Sequence, residues 1–214
     1  MVVKTRPAKE SDAPFLAWVM QAAARSHLPI GMWDLAFPGP DEQRLEKLSA
    51  LIHTETIHFG HWTRFRVAEV DQKPAAALAA FENSRYGPKN LAPAMLEAFR
   101  KMDLPESELM AIPERIAPMT SIKYVYHDGR WNLEWVATRP EYRGRGIINR
   151  LLQEIIEEGR RQGFAASQVG YILGNTPAKN AYEKVGFRYV TEYSHPDFEN
   201  VFGTPGIASM HLDL

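Results

Sequence analysis

Cysteine is absent from this chain. That excludes a disulfide, a thiolate metal site and a cysteine nucleophile, so the chemistry must come from carboxylates, imidazoles, phenols or the backbone. Neither sign of charge dominates. Against 25 Lys and Arg stand 26 Asp and Glu, a formal net charge of −1, which gives no global attraction to nucleic acid or an anionic membrane. No apolar run reaches bilayer-spanning length, and no segment repeats. Met1 to Arg6 lacks the apolar stretch of a secretory signal. The expectation is a soluble cytoplasmic protein with no nucleic-acid or membrane partner and no metal. With 214 residues, 45% of them hydrophobic, the chain can bury a sizeable core as a single domain.

Apolar spacing and turn residues divide the chain. Val2 to Arg6 reads as a strand. Ser11 is the expected cap of a helix carrying Phe15, Leu16, Val19 and Met20 on one stripe. Residues 26–40 hold three prolines and two glycines and read as loop. Asp41 is expected to cap a second helix, with Leu45, Leu48, Leu51 and Ile52 inward. Phe65 to Phe81 reads as a hairpin turning at Asp71-Gln72-Lys73. Residues 83–120 are rich in Pro, Met and charge. They read as an inserted helical flap, with helices over Ala94 to Lys101 and Glu106 to Arg115. Strands are expected at Ile122 to Tyr126, Trp131 to Thr138, Phe164 to Ile172, Arg188 to Tyr193 and Ile207 to Leu212. Long helices are expected at Ile147 to Gln162, closed by Gly163, and from Thr176, the expected cap, to Gly186-Phe187.

The most informative stretch is Val136-Ala-Thr-Arg-Pro-Glu-Tyr-Arg143-Gly144-Arg145-Gly146-Ile147-Ile148. An apolar strand ends, a short basic loop with two glycines follows, and an amphipathic helix begins. Strand, glycine loop and helix together aim several backbone N–H groups at a phosphate. Arg143 and Arg145 add charge, so a pyrophosphate-bearing ligand is indicated. Arg-Gly-Arg-Gly also occurs in flexible nucleic-acid-binding tails, but here it is a single copy between two apolar elements. A second motif, Asn175-Thr-Pro-Ala-Lys-Asn-Ala-Tyr182-Glu-Lys-Val-Gly186-Phe187, lies one strand and one helix downstream.

Together these motifs resemble the acetyl-coenzyme A site of the GNAT superfamily of N-acetyltransferases, over roughly 133–190. Thr5-Arg6-Pro7-Ala8 to Asp12 is similar to the family's opening strand and first helix. The resemblance implies an α/β (α+β) fold: a central mixed, largely antiparallel sheet flanked by helices, here with the helical insertion near 83–120. It implies acetyl-coenzyme A as co-substrate, direct transfer to a small-molecule amine in a ternary complex, and a monomer or homodimer. A bulge in the strand before the loop would free the backbone of Val136 and Thr138 for the cofactor's pantetheine arm. Arg143, Gly144, Arg145, Gly146, Ile147 and Ile148 would surround the pyrophosphate, and Asn175 would contact the cofactor or only close its turn.

Ile148 departs from the family's Gly or Ala. Its side chain either crowds the pyrophosphate or points inward with Leu152 and Ile156. A catalytically silent coenzyme A sensor is the reading that crowding would favour. By resemblance Tyr182 would protonate the leaving thiolate, and His27, Trp33 and Asp34 would line the acceptor pocket or plug the core edge. Glu134 is the candidate base, two residues from the thioester-binding edge. Strand alternation places it with Val136 and Thr138, opposite Leu133, Trp135 and Ala137. His53, His58 and His61 have no matching acidic cluster and read as satisfied histidines rather than metal ligands.

Overall fold

The computed structural model describes residues 2–214. Strands β1 (Val3–Pro7), β2 (Phe65–Val70), β3 (Lys73–Glu82), β4 (Trp131–Thr138), β5 (Ala166–Ile172), β6 (Arg188–Ser194) and β7 (Gly206–Asp213) form one sheet, ordered β1-β2-β3-β4-β5-β7-β6. Every neighbouring pair is antiparallel except β4–β5. The expected mixed, largely antiparallel sheet is therefore present. The β2–β3 hairpin turns through Asp71 and Gln72 at φ 49° and 68°, left-handed values at both central residues that match the twist of paired strands.

One face of the sheet is covered by α1 (Ala13–Arg25), α3 (Asp41–Ile52), α5 (Leu91–Lys101) and α6 (Glu106–Arg115). Phe15, Leu16, Val19 and Met20 of α1 meet Ala77, Ala79 and Phe81 of β3 there. The inserted helices α5 and α6 add Met95, Phe99 and Ile112 to this same core. The opposite face carries α8 (Ile147–Arg161) and α9 (Thr176–Lys184), with Ile147, Leu151, Leu152, Ile155 and Ile156 against Ala76, Leu78 and Ala80 of β3. A small third cluster joins Ile122 to Phe198 and Phe202 of α10 (Pro196–Phe202). Short helices α4 (Asn83–Tyr86) and α7 (Ala117–Thr120) open and close the insertion.

Several boundaries differ from expectation for local polar reasons. Ser11 lies inside a 3-10 turn, and α1 starts at Ala13, with Asp12 holding the Lys9 N–H at 2.7 Å and Arg6 at 2.6 Å. Asp41 is the first residue of α3, not its cap. Asn175 and not Thr176 caps α9, its Oδ1 accepting from Ala178 N–H at 3.1 Å, so Pro177 is the second helical residue. Residues 122–126 form no strand. Their backbone meets side-chain amides in place of a sheet neighbour, as described below.

Within 26–40, expected to be loop throughout, Met32–Ala36 forms a helical turn, α2. Asp34 makes it possible: its carboxylate accepts from Gly31 N–H at 2.8 Å. The same carboxylate meets Arg25 at 2.6 Å and Arg44 at 3.2 Å. Burial alone would raise its pKa, but the Arg25 bond, the Gly31 N–H and the charges of Arg25 and Arg44 hold it below the usual value. Arg44 is itself buried and also donates to the Phe37 and Gly39 carbonyls. Asp34→Ala leaves that guanidinium short of counter-charge, so we expect a loss of about 2–4 kcal/mol of stability, measured by urea unfolding.

Candidate active site

The site starts from a fault in one strand. β4 and β5 pair only through Trp131, Asn132 and Leu133, opposite Ser167, Gln168 and Val169. On its other side β4 runs against β3, where Ala77 faces Ala137 but Ala79 faces Glu134. Two steps on β3 match three on β4, so β4 holds one extra residue. Trp135 sits there at φ 53°, a value an aromatic residue adopts only at some cost. A bulge bends its strand and ends regular pairing. β4 accordingly leaves β5 after Leu133, and a gap opens along residues 134–138.

The bulge also corrects the expected alternation. Leu133 lies in the core beneath α8, whereas Trp135 and Ala137 belong to the core beneath α1. Glu134 faces Ala79, which points to the α1 side. Glu134 therefore shares its face with Trp135 and Ala137, and Val136 packs on the other side. Trp135 fixes this arrangement by stacking on Phe59 at 5.5 Å and meeting Trp33 at 5.6 Å.

Glu134 is half-buried and forms no salt bridge among the described residues. Burial pushes its pKa up to about 7, while hydrogen bonding from the Tyr126 hydroxyl acts the other way. It is thus poised to exchange a proton near neutrality. Tyr182 of α9 is buried in the core beneath α8. Its pKa is raised well above that of a free phenol, by burial first and then by the charges of Glu134 and Tyr124. It keeps its proton at any working pH and can act only as a donor. Between them, the carboxylate and the phenol offer one proton acceptor and one proton donor, electrostatically coupled at the gap.

Downstream of β4 the loop curls through Gly144 and Gly146 at φ 71° and 74°. A Cβ added at either would meet no protein atom within 4 Å, so this side of the loop is open. Helix α8 then begins. Arg150 N–H bonds back to Gly146 O at 3.2 Å, and the N–H groups of Ile147, Ile148 and Asn149 precede the helical ladder. Arg143 Nε donates to Thr138 O at 3.2 Å, and the Arg145 guanidinium lies 5.8 Å from the centre of the Tyr142 ring. Open glycines, a helix N-terminus and two arginines fit a pyrophosphate. Ile147 is buried, and Ile148 is half-buried against the same core. That packing is the inward alternative for Ile148.

Asn175 is occupied by structure on both atoms, since its Nδ2 also donates to Ser26 Oγ at 2.6 Å. This ties α9 to the end of α1. His27 follows there and sits over Gly174, its Nε2 2.9 Å from where a Cβ would project. Of the three acceptor-pocket candidates, His27 alone lies beside a turn of the gap. Trp33 is wholly buried, and Asp34 serves the arginine network. His58 and His61 are buried, bonded to Leu51 O and Thr63, and pushed down to about 4 by burial. No metal-binding group occurs among the described residues, and no helix there is long and apolar enough to cross a membrane.

Two residues at the site escaped the sequence reading. Tyr124 lies across Gly170 of β5, just beyond the last β4–β5 pair, and Tyr126 stands beside Glu134. The signal was the Tyr-x-Tyr spacing, which sends both rings to one side of an extended segment. A separate cavity of about 370 Å³, lined by Arg64, Tyr86, Trp131 and Glu158 among others, lies at the opposite end of β4.

Comparison with known proteins agrees with this geometry. The sequence profile described as the acetyltransferase (GNAT) family matches residues 32–187. No curated protein matches the chain. Among solved structures, an N-acetyltransferase from Staphylococcus aureus Mu50 aligns with a TM-score of 0.72 at 19% identity, over 98% of this chain and 100% of that one. A putative acetyltransferase from Salmonella typhimurium, solved with its cofactor acetyl-CoA, aligns at 0.56 and 14% identity, over 100% and 95%. A ribosomal-protein-alanine N-acetyltransferase from Brucella melitensis aligns at 0.55 and 18% identity, over 99% of both chains. At these identities the structures show the fold. The profile shows the family: this chain belongs to the GNAT acetyltransferases, whose acyl donor is acetyl-coenzyme A.

Two outcomes follow from the geometry. Gly146→Asp places a carboxylate on the open side of the loop. Coenzyme A affinity should fall at least about tenfold, or about 1.4 kcal/mol, by calorimetry, with Gly146→Asn as the neutral control that tolerates the same backbone. Because Glu134 binds its proton more tightly folded than unfolded, its ionisation destabilises the fold as pH rises from about 4.5 to about 7. Glu134→Gln should therefore be more stable than wild type at pH 8, by roughly 1–3 kcal/mol in urea unfolding, and the difference should close at pH 4.

Proposed function

We propose that this GNAT-family chain moves the acetyl group of acetyl-coenzyme A to the amine of a small-molecule acceptor by direct attack in a ternary complex. The observation that carries the reading is Glu134: a half-buried carboxylate with no salt-bridge partner among the described residues, held near pKa 7, at the point where β4 leaves β5. Bound acetyl-coenzyme A supplies an activated acyl carbonyl. The backbone of Val136 and Thr138, on the strand edge freed by the bulge, holds the pantetheine arm. Gly144, Gly146 and the first N–H groups of α8 hold the pyrophosphate, with Arg143 and Arg145 adding charge.

An ammonium cannot attack a carbonyl. Glu134 takes its proton, directly or through a water, and so frees the lone pair that forms the C–N bond. As the C–S bond breaks, Tyr182 gives its proton to the departing thiolate. Its raised pKa keeps that proton on the hydroxyl until negative charge develops on the departing sulfur. The proposed acceptor side bears this carboxylate among phenols, with no cation paired to it among the described residues, which suits a positively charged amine more than an anionic one. Asn175 and Ser26 brace the gap, and His27 borders it. The alternative of a silent sensor needs Ile148 to crowd the cofactor; its half-buried side chain lies against the core beneath α8, which supports the inward reading. A cytoplasmic location, where acetyl-coenzyme A is made and used, fits this reading.

A panel of small amines beside a peptide with an N-terminal alanine, followed by free thiol release, tests the acceptor class. Faster turnover of the small amines is expected, and preference for the peptide would overturn that choice. With the best acceptor, kcat/KM should rise with pH through about 7, the ionisation of Glu134. Glu134→Gln should lower kcat/KM near neutrality and move the rising limb to alkaline pH. An unmoved limb would remove Glu134 as the base. Tyr182→Phe should lower kcat by about 10- to 1000-fold with coenzyme A affinity nearly intact, the loss of one general acid.

A further inference from the structure

The cavity at the far end of β4 is walled by other parts of the chain than the gap. Its volume of about 370 Å³ lies within the roughly 300–1,000 Å³ of small-molecule sites. The floor is apolar and fixed. Trp131, the first residue of β4, is buried, donates its indole N–H to Ile155 O at 3.0 Å and meets the Phe164 ring at 5.1 Å. Gly159 of α8 leaves the indole its room, since a Cβ there would come within 2.7 Å of it.

The walls carry charge. Arg66 of β2 pairs with Glu158 of α8, so these two cancel. Arg64, Arg85 and Glu82 also line the space and form no salt bridge among the described residues. Arg64 is half-buried. Its Nε donates to Thr63 Oγ1 at 3.3 Å, and its guanidinium lies 4.5 Å from the centre of the Tyr86 ring. The exposed Arg85 lies 5.3 Å from the same centre. Two like charges on one ring repel each other. Burial lowers the pKa of Arg64, and Arg85 adds to that, but an arginine keeps its charge at any working pH. Glu82 stands directly opposite Trp131 in the β3–β4 ladder, on the same side of the sheet, and accepts from the neighbouring Ser84 hydroxyl.

The surplus is two cations and one carboxylate around an aromatic floor. A ligand carboxylate between Arg64 and Arg85 would relieve their repulsion through charge-assisted, forked bonds. A bare phosphate would meet Glu82 as a like charge. An ammonium on the same ligand turns Glu82 from a repulsive neighbour into an attractive one.

We propose that this cavity is a second ligand site, separate from the acetyl-transfer gap, for a zwitterionic amino acid with an apolar side chain. Its carboxylate lies on Arg64 and Arg85, its ammonium on Glu82 and its side chain over Trp131. Arg85 and Tyr86 belong to α4, so the insertion completes the site. The assignment does not depend on which group takes the acetyl.

The test reads the floor of the cavity. The chain has five tryptophans, and the indole N–H resonance absent from Trp131→Phe in ¹⁵N-labelled protein identifies Trp131. Millimolar phenylalanine should shift this resonance and saturate it. Phenethylamine lacks the carboxylate and phenylpropionate lacks the ammonium, and each should bind at least about tenfold more weakly, the loss of one bond between charged groups. Arg64→Gln should weaken phenylalanine to a similar degree. Arg85→Ala, at an exposed position, should do the same should Arg64→Gln fold poorly. A Trp131 resonance unmoved by phenylalanine overturns the proposal, as does a shift unchanged in both arginine variants. Inorganic phosphate binding as well as phenylalanine would replace the amino acid by a plain oxyanion. Phenylalanine held in the gap would instead move the indoles of Trp33 and Trp135 and leave Trp131 in place, which also contradicts the assignment.

Discussion

The extra residue at Trp135 is the constraint on which the site depends. A strand in register with both neighbours would have closed the sheet between β4 and β5 and left no free backbone edge. With two residues of β4, Trp135 and Val136, set against Leu78 alone on β3, pairing with β5 stops at Leu133 and the strand turns away. The same step places Glu134 and Trp135 on one face. Trp135 is then taken up by Phe59 and Trp33, and that packing offsets the cost of its left-handed backbone. One local irregularity thus yields both the gap and the carboxylate beside it.

The two sides of the gap are built differently. The side proposed for the cofactor comes from nearly continuous chain, β4 through α9, where the order strand, glycine loop, helix is fixed by sequence proximity. Its charges are positive, from Arg143, Arg145 and the start of α8. The side proposed for the acceptor gathers distant pieces: the end of α1 with Ser26 and His27, the segment after the insertion with Tyr124 and Tyr126, and Tyr193 of β6, whose ring meets Tyr124 at 5.2 Å. Its carboxylate is Glu134. This division suits a family that keeps one donor and changes acceptors. The donor side can stay local and regular, while the acceptor side is assembled by tertiary contacts that an insertion can alter.

The legible parts of the sequence follow that division. The glycine loop, the stripe of α8 and the position of Tyr182 could be read directly, because each is a local pattern with a fixed period. Glu134 was singled out by its distance along the strand, yet placed on the wrong face, because strand alternation assumes no bulge and nothing local announces one. By resemblance Trp33 and Asp34 would line the acceptor pocket or plug the core edge, and nothing in their loop chose between the two. Arg25 and Arg44, which claim Asp34, come from two different helices and reveal themselves only when folded. Ile122 to Tyr126 has the alternation of a strand, but Gln168, Asn132 and Asn83 supply amides where a neighbouring strand would be needed. Short helix α2 escaped because its stability lies in one carboxylate and not in periodicity.

The central claim is that the gap opened at Trp135 receives the acyl donor between Glu134 and Tyr182. A crystal structure with bound acetyl-coenzyme A measures this most directly. The account expects the pantetheine arm bonded to the β4 edge at Val136 and Thr138, the pyrophosphate over Gly144 and Gly146, and the thioester sulfur within reach of the Tyr182 hydroxyl. A cofactor seated elsewhere, for instance in the cavity beside Arg64 and Tyr86, with β4 and β5 unoccupied between them, would contradict it.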